Sequence, residues 1–320
     1  MHLPTIFSEV LLSYDGADDR GSKNQRREAA RQKARDLRDQ QRKKEKRNRV
    51  FLQGGIVVGI LAVAAIITLV VVNSVTPPAA GPLNMQSDGI VIGKDLKAVR
   101  TPAIPANGKP VATVRDKKSN VVSVRIYIDY FCPVCNAFET ANKAQLTSWL
   151  KKGAITLEIH PIQILDRSSL GTRYSSRAAN AGGCVANYAP DDFWAFTQEM
   201  YSKQPTEDTV GLSNAQIIDV VKDAKVHNES QIAKCINSEK YKAWVAAATD
   251  RALNGPLPDS SAKTVAGTPT VIVDGQEYPI TSTDVGSAAA FAAFVEQTAG
   301  AQFNSGTKSP TPTPTPTATK

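Results

Sequence analysis

Two cysteines three positions apart, Cys132 and Cys135, stand in the stretch YFCPVCNAF at residues 130–138. The chain has 320 residues and only four cysteines, so the pairing is notable. A CxxC pair has three chemical uses: half of a zinc site, a structural staple, or a dithiol that cycles between thiols and disulfide. A four-cysteine zinc site needs two closely spaced pairs, and the gaps here are 2, 48 and 50 residues, so no metal is expected. Exchange chemistry needs a thiolate in place of the usual thiol. It also needs a partner cysteine within reach to resolve the mixed disulfide.

The flanking residues place the motif. Residues 120–130, NVVSVRIYIDY, are rich in β-branched and aromatic types and predict a buried central strand. Residues 136–153 predict a helix that ends at Lys151, Lys152 and Gly153. Cys132 thus stands where a strand meets a helix. There the unpaired N–H groups and the helix dipole favour a negative sulfur. Cys132 is expected to be the exposed nucleophile and Cys135, one turn on, its more buried resolving partner. Pro133 suits a first helical turn, where its missing N–H is not needed. Val134 offers the thiolate no side-chain hydrogen bond and shapes only the rim. Asp129 and Glu139 flank the motif as possible proton relays for Cys135. At a strand end, however, an Asp more often faces water.

Further strands are predicted at 89–93, 109–116, 154–165 and 267–280, the last with Asp274-Gly275 as a hairpin turn. Between about 172 and 254 the pattern is helical. It comprises a small-residue helix at 175–189, an aromatic one at 191–204 capped by Asp191, and one at 213–226 with Ser213 and Gln216 as a capping box. One longer helix is expected at 230–253. A final helix is expected at 283–298. His160 and Arg177 read as structural, and Phe193, Trp194, Phe196 and Tyr201 as core. The order strand–CxxC–helix–strand, helical block, strand–turn–strand, helix predicts an α/β, thioredoxin-like fold with a helical insertion. In that fold a loop with a proline before a strand, here Thr268-Pro269, lies beside the CxxC.

Charge and hydropathy set the topology. Between residues 20 and 50 lie fourteen Lys/Arg and four Asp/Glu, in a chain whose net charge is +8. An uncharged apolar run follows at 50–72, long enough to cross about 30 Å of hydrocarbon. The next charge is Asp88. The basic flank orients such a span with its N-terminus inside. This accounts for the basic residues without a nucleic-acid partner. The predicted organisation is a cytoplasmic segment at 1–49, a single transmembrane helix at 50–72, a linker at 73–85, a folded domain at 86–300 and a Pro/Thr-rich tail at 301–320. The folded domain then faces outward, where disulfides persist, and Cys184 with Cys235 is expected to form a structural one.

Four stretches together resemble the DsbA-like thioredoxin-fold proteins in their membrane-anchored actinobacterial form. They are YIDYFCPVCNAFE (127–139), HPIQILD (160–166), YSSRAANA (174–181) and GTPTVIVDG (267–275). The resemblance implies a disulfide oxidoreductase acting on exported cysteine-containing polypeptides. Cys132 would attack, Cys135 resolve, and Thr268 and Pro269 shape the substrate groove. It also implies a quinone-linked, VKOR-like membrane partner and no cofactor. Val134 stands where the best-known oxidases carry histidine, so the direction of electron flow stays open. The expected function is oxidation of exported proteins. The alternatives are a reductase or isomerase of the same fold, or an anchored chaperone or binding module without catalysis.

Overall fold

The computed structural model describes residues 80–116, 119–281 and 284–306, together with scattered positions between 28 and 46. The chain divides into two units, Met1–Val75 and Thr76–Lys320. In the first, the described positions between 28 and 46 are helical and exposed. The predicted membrane span at 50–72 and the Pro/Thr tracts at 309–320 lie outside the described residues. Among the described residues no helix is long and apolar enough to cross a membrane.

In the second unit the elements run β1 (Ile90–Ile92), β2 (Val122–Ile128), α1 (Pro133–Lys152), β3 (Ile155–Pro161), then five helices. These are α2 (Tyr174–Tyr188), α3 (Phe193–Ser202), α4 (Asn214–Asp223), α5 (Glu229–Asn237) and α6 (Lys242–Asn254). The hairpin β4 (Thr270–Val273) and β5 (Gln276–Glu277) and the helix α7 (Ala288–Gly306) complete it. The sheet order is β1-β3-β2-β4-β5. Only β2 and β3 are parallel, with Ile126 opposite Ile159. The central strand is covered on both faces, which explains its near-continuous apolar sequence. Val124, Ile126 and Ile128 pack into the main core with Phe138, Leu146 and Leu150 of α1. Tyr127 faces a smaller core with Ile162, Leu257, Val265 and Ile272.

Local chemistry explains the element ends. Pro133 opens α1, and Gly153 closes it at φ 69°, where its N–H reaches the Leu150 carbonyl. Asp274 and Gly275 have φ 47° and 86°, the two positive values that a two-residue hairpin turn requires. Ser213 and Gln216 form the predicted capping box at α4.

Four expectations need correction. Residues 109–116 form no strand: the Val111 N–H bonds the Gln86 carbonyl at 2.9 Å, and Thr113 and Arg115 hold the segment by side chain, to Glu158 and Asp259. The single helix expected over 230–253 is two, α5 and α6. The chain turns at Glu239 (φ 46°), and Asn180 Oδ1 takes the Tyr241 N–H at 2.8 Å. Asp191 does not cap α3; its carboxylate accepts the Ala98 N–H and pairs with Lys97 and Arg100. The predicted linker at 73–85 is packed at its far end. Met85 is fully buried, and Asn84 Nδ2 donates to the Ala186 carbonyl at 2.8 Å.

Cys184 of α2 and Cys235 of α5 form a disulfide across 51 positions of sequence. Such a cross-link confines the unfolded chain. Replacing both cysteines by serine is expected to lower stability by about 2–4 kcal/mol. The readout is the urea midpoint, with the reactivity of Cys132 unchanged.

Candidate active site

The strand β2 ends at Ile128, and α1 begins at Pro133. Four residues must make that turn, and one side chain holds it. Asp129 is fully buried, with Oδ1 accepting the Phe131 N–H at 2.9 Å and Oδ2 the Leu165 N–H at 3.0 Å. The water-facing position that sequence favours for it is therefore wrong: both its oxygens position backbone under the motif. Gln204, just past α3, clamps the same turn, donating through Nε2 to the carbonyls of Tyr130 (3.0 Å) and Cys132 (2.9 Å). Its Oε1 accepts from Asn136 at 3.0 Å.

Cys132 is the N-cap residue of α1, and its sulfur accepts the Cys135 N–H at 3.4 Å. The Cys132 thiol donates to the Thr268 carbonyl at 3.2 Å. Only 5 % of Cys132 is exposed, so it lies deeper than the exposed position expected of a nucleophile. Thr268, whose carbonyl covers the sulfur, lines a groove of about 470 Å³ together with Val134, Gly267, Pro269, Tyr278 and Ile280 among others. Val134 is 43 % exposed on this rim. The Thr268–Pro269 bond is cis, as is Gly255–Pro256.

The two sulfurs differ electrostatically. A hydrogen bond from the Cys135 thiol holds Cys132 down to about 6 from the usual 9, against burial, with help from the Thr268 hydroxyl and the N–H groups of Cys135 and Val134. Burial drives Cys135 well above the usual value, and its bond and proximity to Cys132 add to the rise. The Thr268 hydroxyl is buried without a hydrogen bond of good geometry, and its nearness to both sulfurs lowers both.

Burial raises Asp129 to about 7, opposed by the Phe131 and Leu165 N–H groups. Glu139 is also raised to about 7 by burial, opposed by the Gln198 amide, which donates to its Oε2 at 3.0 Å. Its Oε1 is buried without a hydrogen-bond partner. The two acids differ in that each Asp129 oxygen accepts an N–H, whereas Glu139 Oε1 has no partner.

The other singled-out residues lie elsewhere. His160 stacks on Tyr127 at 4.4 Å and sits beside Glu158, which Arg125 pairs at 2.7 Å. These groups belong to the sheet face opposite α1. A separate cavity of about 260 Å³ there is lined by Tyr127, His160 and Arg251, and no cysteine reaches it. Arg177 binds the carbonyls of Thr172 and Leu212 and the Asn214 side chain. Phe193, Trp194, Phe196 and Tyr201 are core. Among the described residues no three metal-ligating side chains cluster. Gln204 and Gln198 are absent from the sequence reading, since no local pattern marks a glutamine that reaches across 72 or 59 positions.

Residues 114–289 match the family model described as Thioredoxin. Among solved structures, the chain is similar to the reduced form of the disulfide bond oxidoreductase DsbG from Mycobacterium tuberculosis. Identity is 29 %, the TM-score is 0.47, and the match covers 66 % of this chain and 86 % of that one. The oxidised DsbA of the same organism is 28 % identical at a TM-score of 0.48, covering 66 % and 93 %. MdbA, a thiol-disulfide oxidoreductase from Corynebacterium diphtheriae, is 18 % identical at a TM-score of 0.47, covering 69 % and 94 %. No curated protein matches the chain.

Two titrations follow from this geometry. Alkylation of Cys132 by iodoacetamide is expected to rise through about pH 6 and then level off, while Cys135 stays unreactive to pH 9. Thr268→Val should move that midpoint upward. Glu139 acts on stability with the opposite sign. Its folded value of about 7 exceeds the usual 4.5, so the folded chain holds a proton that the unfolded chain loses between them. Stability therefore falls over that window, and the penalty is complete above about pH 7. Glu139→Gln removes it, so the variant's gain in urea midpoint over the parent should be larger at pH 8 than at pH 5.

Proposed function

This chain belongs to the thioredoxin family and carries the dithiol of a protein thiol–disulfide oxidoreductase. From that premise we propose that it oxidises cysteines of exported proteins from the outer face of a membrane to which residues 50–72 anchor it. The observation that carries the reading is the unequal pair: a stabilised thiolate at Cys132, against the Thr268 edge of a groove, next to a buried thiol at Cys135.

In the oxidised form, a substrate thiolate attacks Cys132 Sγ. The bond between the two protein sulfurs breaks, and Cys135 leaves with the electron pair and takes up a proton. Its raised pKa makes that protonation favourable. A second substrate thiolate attacks the substrate sulfur of the mixed disulfide, and Cys132 leaves as the thiolate that its N-cap position stabilises. The substrate loses two electrons and two protons. The dithiol keeps both electrons and one proton, and the other proton passes to solvent. A quinone-linked, VKOR-like membrane protein is the proposed acceptor that restores the disulfide. Glu139, with one carboxylate oxygen unpaired, is the proposed acceptor for the Cys135 proton on that return step.

Linkage supports the oxidising direction. A thiolate held at about 6 stabilises the reduced form, and a stabilised reduced form makes the disulfide oxidising. This stabilisation is complete above the ordinary thiol pKa of 9 and is lost as pH falls through about 6. Val134 adds nothing by its side chain, but its N–H contributes, so histidine at that position is not required for a low pKa.

The deciding measurement is the reduction potential of the Cys132–Cys135 pair in glutathione buffers. A value on the oxidising side of about −270 mV is expected, and one near about −120 mV would place the chain among strong oxidants, whereas a value near about −270 mV would make the chain a reductant and overturn the oxidase reading. In cells, Cys135→Ser should trap mixed disulfides with exported proteins, and Cys132→Ser should trap none. A reporter fused after residue 320 checks the orientation, and cytoplasmic activity of that reporter would refute it.

A further inference from the structure

The groove beside Cys132 holds a charge that the exchange reaction itself does not use. Its lining includes Val134, Pro269, Pro279 and Ile280, and among its lining residues Glu277 alone is charged. Glu277 lies on β5 and is exposed. No described side chain pairs with its carboxylate. The groove also holds the Thr268 carbonyl, 3.2 Å from the Cys132 sulfur, so a segment reacting at that sulfur lies alongside this lining.

Recognition by backbone is restricted here. β5 is the last strand of the sheet, and an open last strand would take up an extended peptide by strand addition. Its outer edge is closed, however. The Ser261 N–H donates to the Gly275 carbonyl at 2.7 Å, and the Glu277 N–H donates to Ser261 Oγ at 2.9 Å. Selection among substrate segments along β5 therefore falls to side chains. The apolar lining accepts apolar neighbours of the reacting cysteine without distinguishing their order. A carboxylate beside an apolar wall is less screened than one on open surface, and it discriminates by sign.

We propose that Glu277 is a specificity-determining residue that favours substrate segments with a Lys or Arg close to the reacting cysteine. The inference rests on the exchange reading above and names the substrate class of the same groove. Glu277 acts on binding and encounter only and touches neither sulfur, so reaction with a small uncharged thiol is independent of it.

The test uses the oxidised full chain in detergent micelles. The probes are two dicysteine peptides that differ only in Lys or Glu on both sides of the first cysteine, with dithiothreitol as the uncharged control. The parent is expected to oxidise the Lys peptide about two- to fivefold faster, the range of an exposed ion pair, and about 0.5 M NaCl should shrink the ratio. Glu277→Gln should bring the ratio to about one, and Glu277→Lys should invert it, with the dithiothreitol rate equal in all three. A ratio of one in the parent, or an unchanged ratio in Glu277→Gln, overturns the assignment while dithiothreitol oxidation keeps the exchange reading intact. Failure of the parent to oxidise dithiothreitol overturns the exchange reading, and this assignment with it.

Discussion

The turn between β2 and α1 is the constraint on which the site depends. A parallel strand must end, a helix must begin, and the first sulfur must stand at the unpaired N–H groups of that helix. Backbone released from the sheet at this point is buried, and buried N–H groups left without acceptors are unfavourable by about 1–3 kcal/mol each. Asp129 takes two of them, from Phe131 and from Leu165. The Asp129 carbonyl takes the Cys132 N–H at 3.0 Å. Gln204 donates to the carbonyls of Tyr130 and Cys132. With these bonds made, the position of Cys132 is fixed by backbone, and the helix can act on its charge.

The same geometry separates the two thiols. The first N–H groups of a helix point outward along its axis, so they reach the N-cap sulfur of Cys132 and not that of Cys135, one turn inside. Burial raises both thiols, with different outcomes. At Cys132 it is outweighed by hydrogen bonds to the sulfur; at Cys135 it dominates and keeps the proton on. The proposed exchange needs that inequality, because Cys132 must leave as an anion while Cys135, once released, keeps its proton and does not attack the mixed disulfide.

The sequence made most of this scaffold legible through local rules. The strand-to-helix junction, Pro133, the Gly153 cap, the Asp274-Gly275 turn and the Ser213 capping box each obey a rule that acts within a few residues. What it concealed acts at long range. The break between α5 and α6 is a helical pattern overridden by Asn180, and the roles of Gln198 and Gln204 arise from contacts across 59 and 72 positions. The depth of Cys132 was hidden for the same reason. The Thr268 carbonyl that covers its sulfur lies 136 positions away.

The helical insertion is for this reason part of the site. The helix α3 and the residues just after it supply Gln198 to Glu139, Thr197 to the Tyr130 hydroxyl at 3.1 Å, and Gln204 to the motif backbone. The Tyr201 carbonyl accepts from Asn136 at 3.1 Å. These bonds are made to the first turns of α1 and the turn before it, the segment where Cys132 and Cys135 must hold their separation. The disulfide between α2 and α5 ties the insertion to itself at a distance from the reactive pair. The fold thus uses one pair of sulfurs to brace the block that positions the other. Only the second pair stands at a helix start and beside a groove, the placement that the proposed exchange needs.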